Sequence, residues 1–237
     1  MMILSHEMKI DSRQTVASGK QIEKRPHRGL VALFLIVNFL LLLLPIFVPG
    51  LRIPGSSWNW AGKIFAITFS CLLLAWSPWL RRNIGLRWRQ AQGSIPVSLF
   101  CFAVCLGAGI FMGLRESPMA FSRDTLLFQF FMPTLDEELA FRGIALAMQE
   151  RTYGQPPMSC RLRYGWAAFV LSLVFGLCHA LSFEQGHIEF SLLVLVETFG
   201  FASVATIART RSGSLLWPML CHSGWNVAFY TLAMMRH

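Results

Sequence analysis

Long apolar segments alternate along the chain with short polar segments that are rich in arginine. A helix that spans a bilayer needs about twenty mostly apolar residues. Seven segments meet this requirement, at residues 30–49, 64–80, 95–114, 125–149, 164–183, 188–208 and 214–235. The pattern predicts an all-α, polytopic integral membrane helix bundle of about seven to eight transmembrane helices.

The composition agrees with this pattern and excludes an ordinary soluble domain. Of the 237 residues, 54% are hydrophobic and only 14% are charged, whereas soluble domains carry about 25% charged residues. We predict a disordered basic tail in residues 1–29, transmembrane helices without motifs in 30–114, and a membrane core that carries the polar motifs in 125–235. The six cysteines form no CxxC pair, and most lie in apolar segments, which favours buried thiols over disulfides.

The net charge of +9 follows the predicted topology, so it is no sign of nucleic-acid binding. Fifteen of the 21 lysines and arginines fall in alternate polar segments that include the N-terminal tail. Five fall in the other, outer segments, namely Arg52, Lys63, Arg115, Arg123 and Arg236. Basic residues concentrate on the cytoplasmic side of membrane proteins. We therefore predict a cytoplasmic N-terminus. The short loops and the basic tail resemble those of a protein of the bacterial cytoplasmic (inner) membrane. The predicted partner is the lipid bilayer, and no nucleic-acid partner is expected.

One apolar segment contains an unexpected charged cluster, "TLDEELAFRG". A charge at the bilayer centre costs roughly 2.5–3.5 kcal/mol on insertion scales, so such a cluster persists only if it is paired, faces a polar cavity or has a function. On a helix, Glu138 and Arg142 share a face and can form an ion pair. Glu137 lies about 100° away and has no partner on its own helix, which leaves its carboxylate available for chemistry.

The start of the same cluster has the pattern of a helix boundary. Pro133 followed by Thr134, with Glu137 three residues later, fits an N-terminal capping box. If a helix starts there, Asp136 lies in its first turn and residues 125–132 form a separate segment; otherwise residues 125–149 form one segment.

Four further polar residues lie in later apolar segments. His222 and Asn226 are four residues apart and project from one helix face. His179 ends its segment, and Glu197 has no polar neighbour at helical spacing, which is typical of a helix-interface group. A carboxylate beside an imidazole can activate water, and an imidazole with an amide can stabilise an oxyanion. The set therefore indicates amide hydrolysis without a covalent intermediate.

No nucleophile motif accompanies these residues. The chain has no GxSxG sequence. Cys178 and Cys221 each precede a histidine, but consecutive residues on a helix point about 100° apart. Neither cysteine is therefore directed at the histidine that follows it.

Three motifs in order, Glu137-Glu138-x-x-x-Arg142, Phe175-x-x-x-His179 and His222-x-x-x-Asn226, resemble those of the CAAX protease and bacteriocin-processing family, also called the abortive-infection family. These proteins are intramembrane glutamic endopeptidases with an all-α membrane core. The resemblance covers roughly residues 125–235. It implies that Glu137 is the general base, assisted by His179, that His222 and Asn226 form an oxyanion hole, and that Glu138 and Arg142 shape the site.

The resemblance also implies a membrane-associated peptide or protein as substrate, cleaved in a C-terminal tail, a leader or a sorting signal, without a cofactor or metal. Three other interpretations remain open. A zinc protease could use Glu137, His179 and His222 as ligands, a transporter could relay protons through the same groups, and a non-catalytic scaffold could bind a membrane partner. The predicted topology sets His179 and His222 at different depths, so a shared cavity requires a shifted boundary or a tilted or broken helix.

Overall fold

The computed structural model describes residues 28–156, 162–184 and 187–236. Almost all of the predicted tail at 1–29 lies outside this range. The described chain is mainly helical: α1 (Arg28–Phe47), α2 (Trp60–Trp76), α3 (Pro78–Asn83), α4 (Ile95–Arg115), α5 (Arg123–Glu137), a π-helical segment (Glu138–Ala145), α6 (Leu146–Tyr153), α7 (Trp166–Ala180), α8 (Leu192–Ser212) and α9 (Leu216–Met235). A single 3₁₀ turn (Pro49–Leu51) follows α1, and two short antiparallel strands, β1 (Leu181–Glu184) and β2 (His187–Phe190), join α7 to α8.

The helices agree with the seven apolar segments, with ends that fall within four residues of the predicted ones. Three are long and apolar enough to cross a membrane, namely Gly29–Phe47, Ile95–Arg115 and Leu192–Ser212, and two shorter apolar helices are Trp60–Trp76 and Trp166–Ala180. These features are those of a helical membrane bundle.

The helix boundary considered at Pro133 is wrong, because α5, the π-helical segment and α6 run continuously from Arg123 to Tyr153. Proline lacks the N–H that would bond the carbonyl four residues earlier, here that of Gln129. In this structure Asn226 Nδ2 lies 3.3 Å from the Gln129 carbonyl oxygen and donates to it. A neighbouring helix thus supplies the donor that the proline removes, which lets the helix continue.

Thr134 is therefore an internal residue of α5 and caps no helix. Its hydroxyl lies 2.9 Å from the hydroxyl of Ser223 on α9, and Ser223 also donates to the Phe130 carbonyl. The cap of α5 is Ser122, whose hydroxyl accepts from the Thr125 amide at 3.2 Å. Together these bonds fix α9 against the middle of α5.

The connection from α1 to α2 is bound to the start of α5. Both carboxylate oxygens of Asp124 accept hydrogen bonds, from the Ser56 hydroxyl at 3.0 Å and from the Trp60 indole at 2.9 Å. The Trp58 indole donates to the Thr125 hydroxyl at 2.9 Å. This network sets the register of α2 along α5.

Helices α4 and α9 approach closely because small residues line the contact. A Cβ added at Gly109 would lie 2.5 Å from the Trp225 carbonyl oxygen, and one at Gly113 would lie 2.5 Å from the Phe229 carbonyl oxygen. Small residues at four-residue spacing allow this kind of helix contact in membrane proteins. The contact supports the helix that carries His222 and Asn226.

The prediction of buried thiols holds for part of the set. Cys101, Cys105 and Cys221 are buried, whereas Cys71 on α2 and Cys178 on α7 are exposed. Cys178 borders a cavity that Glu137 also lines. Cys160 lies outside the described residues.

Candidate active site

The Glu137 carboxylate lies where α2, α5, α7 and α9 meet. Its Oε1 is 2.7 Å from Lys63 Nζ. Its Oε2 faces two imidazoles, with 3.5 Å to His179 Nε2 and 4.0 Å to His222 Nε2. The different depths predicted for the two histidines therefore do not separate them, since both reach the same carboxylate oxygen.

Lys63 is the residue that sequence reasoning missed. We predicted it as one of the basic residues of an outer segment, but it lies inside α2 and is only 7% exposed. Its ammonium bridges Glu137 and Asp136, whose Oδ2 is 2.9 Å away. Glu137 has no partner on its own helix, as predicted, but it has this one from α2. A single lysine inside the apolar segment "WAGKIFAITF" was the available signal.

Glu138 forms the predicted ion pair with Arg142, at 2.9 Å between Glu138 Oε1 and Arg142 Nη1. The same oxygen lies 2.7 Å from His222 Nδ1. Because a carboxylate accepts hydrogen bonds, His222 Nδ1 carries the hydrogen and Nε2 is directed toward Glu137. The π-helical segment begins at Glu138, and such segments are frequent at functional sites.

Phe175 organises the other side of the cluster. Its carbonyl accepts a hydrogen bond from His179 Nδ1 at 2.9 Å, which again directs Nε2 toward Glu137. Its ring stacks on the His179 ring, with 4.4 Å between centroids. The Arg142 guanidinium lies 4.2 Å from the centre of the same ring, at cation–π distance. The phenylalanine of the predicted Phe175-x-x-x-His179 pattern therefore joins both groups.

Asn226 and His222 share a helix face, as predicted, and line one cavity of about 130 Å³ together with Phe175, His179, Thr198, Phe201 and Trp225. The Asn226 amide donates to the Gln129 side-chain oxygen at 3.0 Å, a contact that the sequence did not indicate. A second cavity of about 150 Å³ lies on the Lys63 side and is bordered by Asp136, Glu137 and His179. The cluster therefore separates two small cavities, and His179 borders both.

The chain is similar to one known protein family and to one bacterial protein. The sequence profile described as "Type II CAAX prenyl endopeptidase Rce1-like" matches residues 122–228. An Escherichia coli protein named "Uncharacterized 24.3 kDa protein" is 30% identical over 166 residues, which cover 64% of this chain and 70% of that protein. The chain belongs to the Rce1-like family. No solved structure matches it.

Membership in the Rce1-like family supports a membrane protease, and with the apolar helices it supports an integral membrane protein. The profile of the Rce1-like family spans Glu137, His179, His222 and Asn226, but it begins well after Lys63. The ammonium that bridges Asp136 and Glu137 thus comes from a part of the chain that the profile does not match.

Two further predictions concern Glu197 and a possible metal site. Glu197 is half-buried on α8 and borders neither of the two cavities, and its interpretation as a helix-interface group stays a prediction. Among the described residues, no group of three or more histidine, cysteine, aspartate or glutamate side chains has the arrangement of a metal site.

Proposed function

We propose that the protein is an intramembrane glutamic endopeptidase that cleaves a peptide bond in a membrane-associated protein or peptide. One observation carries the proposal. The two oxygens of the Glu137 carboxylate have different surroundings, since Oε1 is bound to Lys63 and Oε2 faces the Nε2 atoms of His179 and His222. A carboxylate oriented in this way presents one oxygen to water and to imidazole.

Glu137 would act as the general base. Glu137 Oε2 and His179 Nε2 lie 3.5 Å apart, so one water molecule placed beside the two atoms can contact both. Glu137 takes a proton from that water as the water oxygen bonds to the carbonyl carbon of the substrate. His179 orients the water, because its own Nδ1 is fixed on the Phe175 carbonyl.

Asn226 would stabilise the oxyanion that forms in this step, together with His222 in the form that carries a hydrogen on Nε2 as well as on Nδ1. Both border the cavity next to His179, and preorganised donors of this kind typically contribute about 10²–10³ in rate. The C–N bond then breaks, and the proton held by Glu137 passes to the leaving amine. During this sequence one N–H of the Asn226 amide must turn from the Gln129 backbone carbonyl toward the oxyanion, while the other keeps its bond to the Gln129 side chain.

Glu138 and Arg142 would shape the site without contacting the substrate. Glu138 is completely buried and holds both Arg142 and His222 Nδ1. Arg142 in turn lies over the Phe175 ring that stacks on His179. The pair thereby links the orientation of one imidazole to that of the other.

The substrate that we propose is a membrane-anchored peptide or protein, cleaved in a C-terminal tail, a leader or a sorting signal. The small cavities beside Glu137, of about 130 and 150 Å³, suit a few residues of an extended chain better than a folded domain. We further propose that the enzyme lies in a bacterial cytoplasmic membrane with its N-terminus in the cytoplasm, on the basis of the asymmetric arginines and lysines.

The test uses the full-length protein in detergent and a library of membrane-anchored peptides that includes tails with and without a prenyl group, leaders and sorting helices. Cleavage is followed by mass spectrometry for the wild type, Glu137→Gln and Glu197→Gln, each with and without a strong chelator. Glu197→Gln is the matched control, since it removes an acid from an apolar helix away from the cluster. We expect Glu137→Gln to lose at least about 10²-fold in rate, while the control and the chelated wild type retain activity.

Other outcomes would assign the protein elsewhere. Cleavage that the chelator abolishes would support the zinc interpretation. Unchanged cleavage by Glu137→Gln would remove Glu137 from its role as the base. Failure of the wild type on every peptide class would favour a scaffold or a transporter.

A further inference from the structure

A separate, polar cavity of about 210 Å³ lies elsewhere in the molecule. It shares no lining residue with the two cavities beside the Glu137 cluster. Four arginines from separate parts of the chain border it: Arg82 on α3, Arg87 in the connection from α3 to α4, Arg163 before α7, and Arg209 on α8. Glu150 is the one acidic residue among its described lining residues. The cavity therefore carries an excess of positive charge.

Arg209 is the most buried of these arginines, with 8% of its surface exposed. One of its terminal nitrogens donates to the Asn83 carbonyl at 3.0 Å. Its Nε is buried and has no acceptor among the described residues, and the same is true of Arg163 Nε. A guanidinium keeps its charge under all ordinary conditions, and a buried donor without an acceptor is unfavourable. The cavity thus presents charged donors that an anion would satisfy.

The local backbone is shaped to bring these arginines together. Gly85 and Gly213 both have left-handed backbone angles, with φ of 78° and 70°. A Cβ added at Gly85 would overlap the Arg209 guanidinium, and one at Gly213 would overlap that of Arg87. The Leu215 amide donates to the Gly85 carbonyl at 2.7 Å and joins the two turns. The fold therefore holds the buried Arg209 and the partly buried Arg163 in place, and the exposed Arg82 and Arg87 extend the charged lining.

Glu150 does not neutralise the cavity. One of its carboxylate oxygens accepts from the Gln155 amide at 3.0 Å, and a single carboxylate cannot balance four guanidinium groups. Phosphate oxygens match the planar fork of arginine and can be bound by two parallel hydrogen bonds.

We propose that this cavity binds a phosphate group, carried either by an anionic lipid or by a free phosphate ion, through Arg82, Arg163 and Arg209. All four arginines belong to the polar segments that the charge distribution places on the cytoplasmic side. Basic pockets between transmembrane helices on that side bind the head groups of anionic lipids. The site is separate from the proposed peptidase chemistry.

The experiment compares Arg82→Gln/Arg163→Gln with Arg81→Gln/Arg89→Gln in the full-length protein. Both variants lose two positive charges, but Arg81 and Arg89 do not line the cavity. Arg209 is left unchanged because its replacement would remove a buried bond to α3. One arm measures thermal unfolding in an uncharged detergent against inorganic phosphate, and the other measures lipid retention by native mass spectrometry from nanodiscs of phosphatidylcholine with or without phosphatidylglycerol.

We expect the cavity variant to bind the phosphate-bearing probe at least about tenfold more weakly than the wild type, and the control variant to bind it within about twofold. Retention of phosphatidylglycerol without a response to inorganic phosphate would identify a lipid head group as the ligand. Saturable stabilisation by inorganic phosphate alone would identify the free ion. Equal binding by the two double variants, or no binding of either probe by the wild type, would overturn the proposal.

Discussion

Lys63 and Glu137 come from different helices, and the Lys63 ammonium lies 2.7 Å from one oxygen of the Glu137 carboxylate. The same ammonium is 2.9 Å from Asp136. Adjacent acids in an apolar segment repel each other unless a cation offsets their charge. Lys63 therefore makes the Asp136-Glu137 pair tolerable inside the bundle, and it leaves the second Glu137 oxygen free to face the histidines.

The first prediction follows from this bridge. Lys63→Met should lower the free energy of unfolding by about 3–5 kcal/mol, the usual effect of removing one partner from a buried ion pair. Adding Asp136→Asn should recover part of that loss, because one acid then lacks a cation in place of two. Unfolding in mixed detergent measures both variants. Equal destabilisation of the single and double variants would contradict the bridging role.

Adjacent acids of the cluster should respond differently to the same substitution. Glu138→Gln leaves the buried Arg142 without its carboxylate, so the free energy of unfolding should fall by about 3–5 kcal/mol. Glu137→Gln leaves Lys63 paired with Asp136 and should change stability less while it removes activity. Unfolding curves and cleavage rates of both variants test this, and a larger stability loss in Glu137→Gln would reverse the assignment of roles.

Sequence reasoning was most accurate where the relevant contact is local. Glu138 and Arg142 are four residues apart, so helical periodicity alone predicted their pair. The shared face of His222 and Asn226 has the same basis. Lys63 is 74 positions from Glu137, and only the packing of α2 on α5 decides that they meet.

The errors also have physical causes. The boundary considered at Pro133 rested on the pattern of a capping box, but the helix continues, because a side chain from α9 satisfies the Gln129 carbonyl that the proline leaves without a donor. The strands β1 and β2 lie at the edges of two apolar segments, where composition does not separate helix from strand. The topology predicted from charge set His179 and His222 at different depths in the membrane, because loop counting does not resolve how deeply each side chain lies. The packing of α7 and α9 brings both imidazoles to Glu137.

The contact between α4 and α9 offers a prediction with an internal control. Gly109→Ala would bring a Cβ to 2.5 Å from the Trp225 carbonyl oxygen, whereas a Cβ at Gly107 meets nothing within 4 Å. Overpacking typically costs about 1–3 kcal/mol, and alanine is a better helix former than glycine by about 1 kcal/mol.

We therefore expect Gly109→Ala to lower the thermal unfolding midpoint and to reduce cleavage, because α9 carries His222 and Asn226. Gly107→Ala should leave both unchanged or raise the midpoint slightly. Similar behaviour of the two variants would mean that the close approach of α4 to α9 does not limit stability.

Gln129 offers the last prediction, as a positioning residue that acts through Asn226. Its side-chain oxygen accepts from the Asn226 amide at 3.0 Å, so Gln129→Met should remove the shorter of the two bonds that orient this amide and leave the bond to the Gln129 backbone carbonyl. If Asn226 stabilises the oxyanion, Asn226→Ala should reduce kcat by about 10²–10³-fold, and Gln129→Met should reduce kcat by a smaller factor with little change in KM. The double variant should be no slower than Asn226→Ala, because residues that act through one group are not additive. A loss of kcat in the double variant equal to the product of the two single losses would show instead that Gln129 affects the reaction by a separate route.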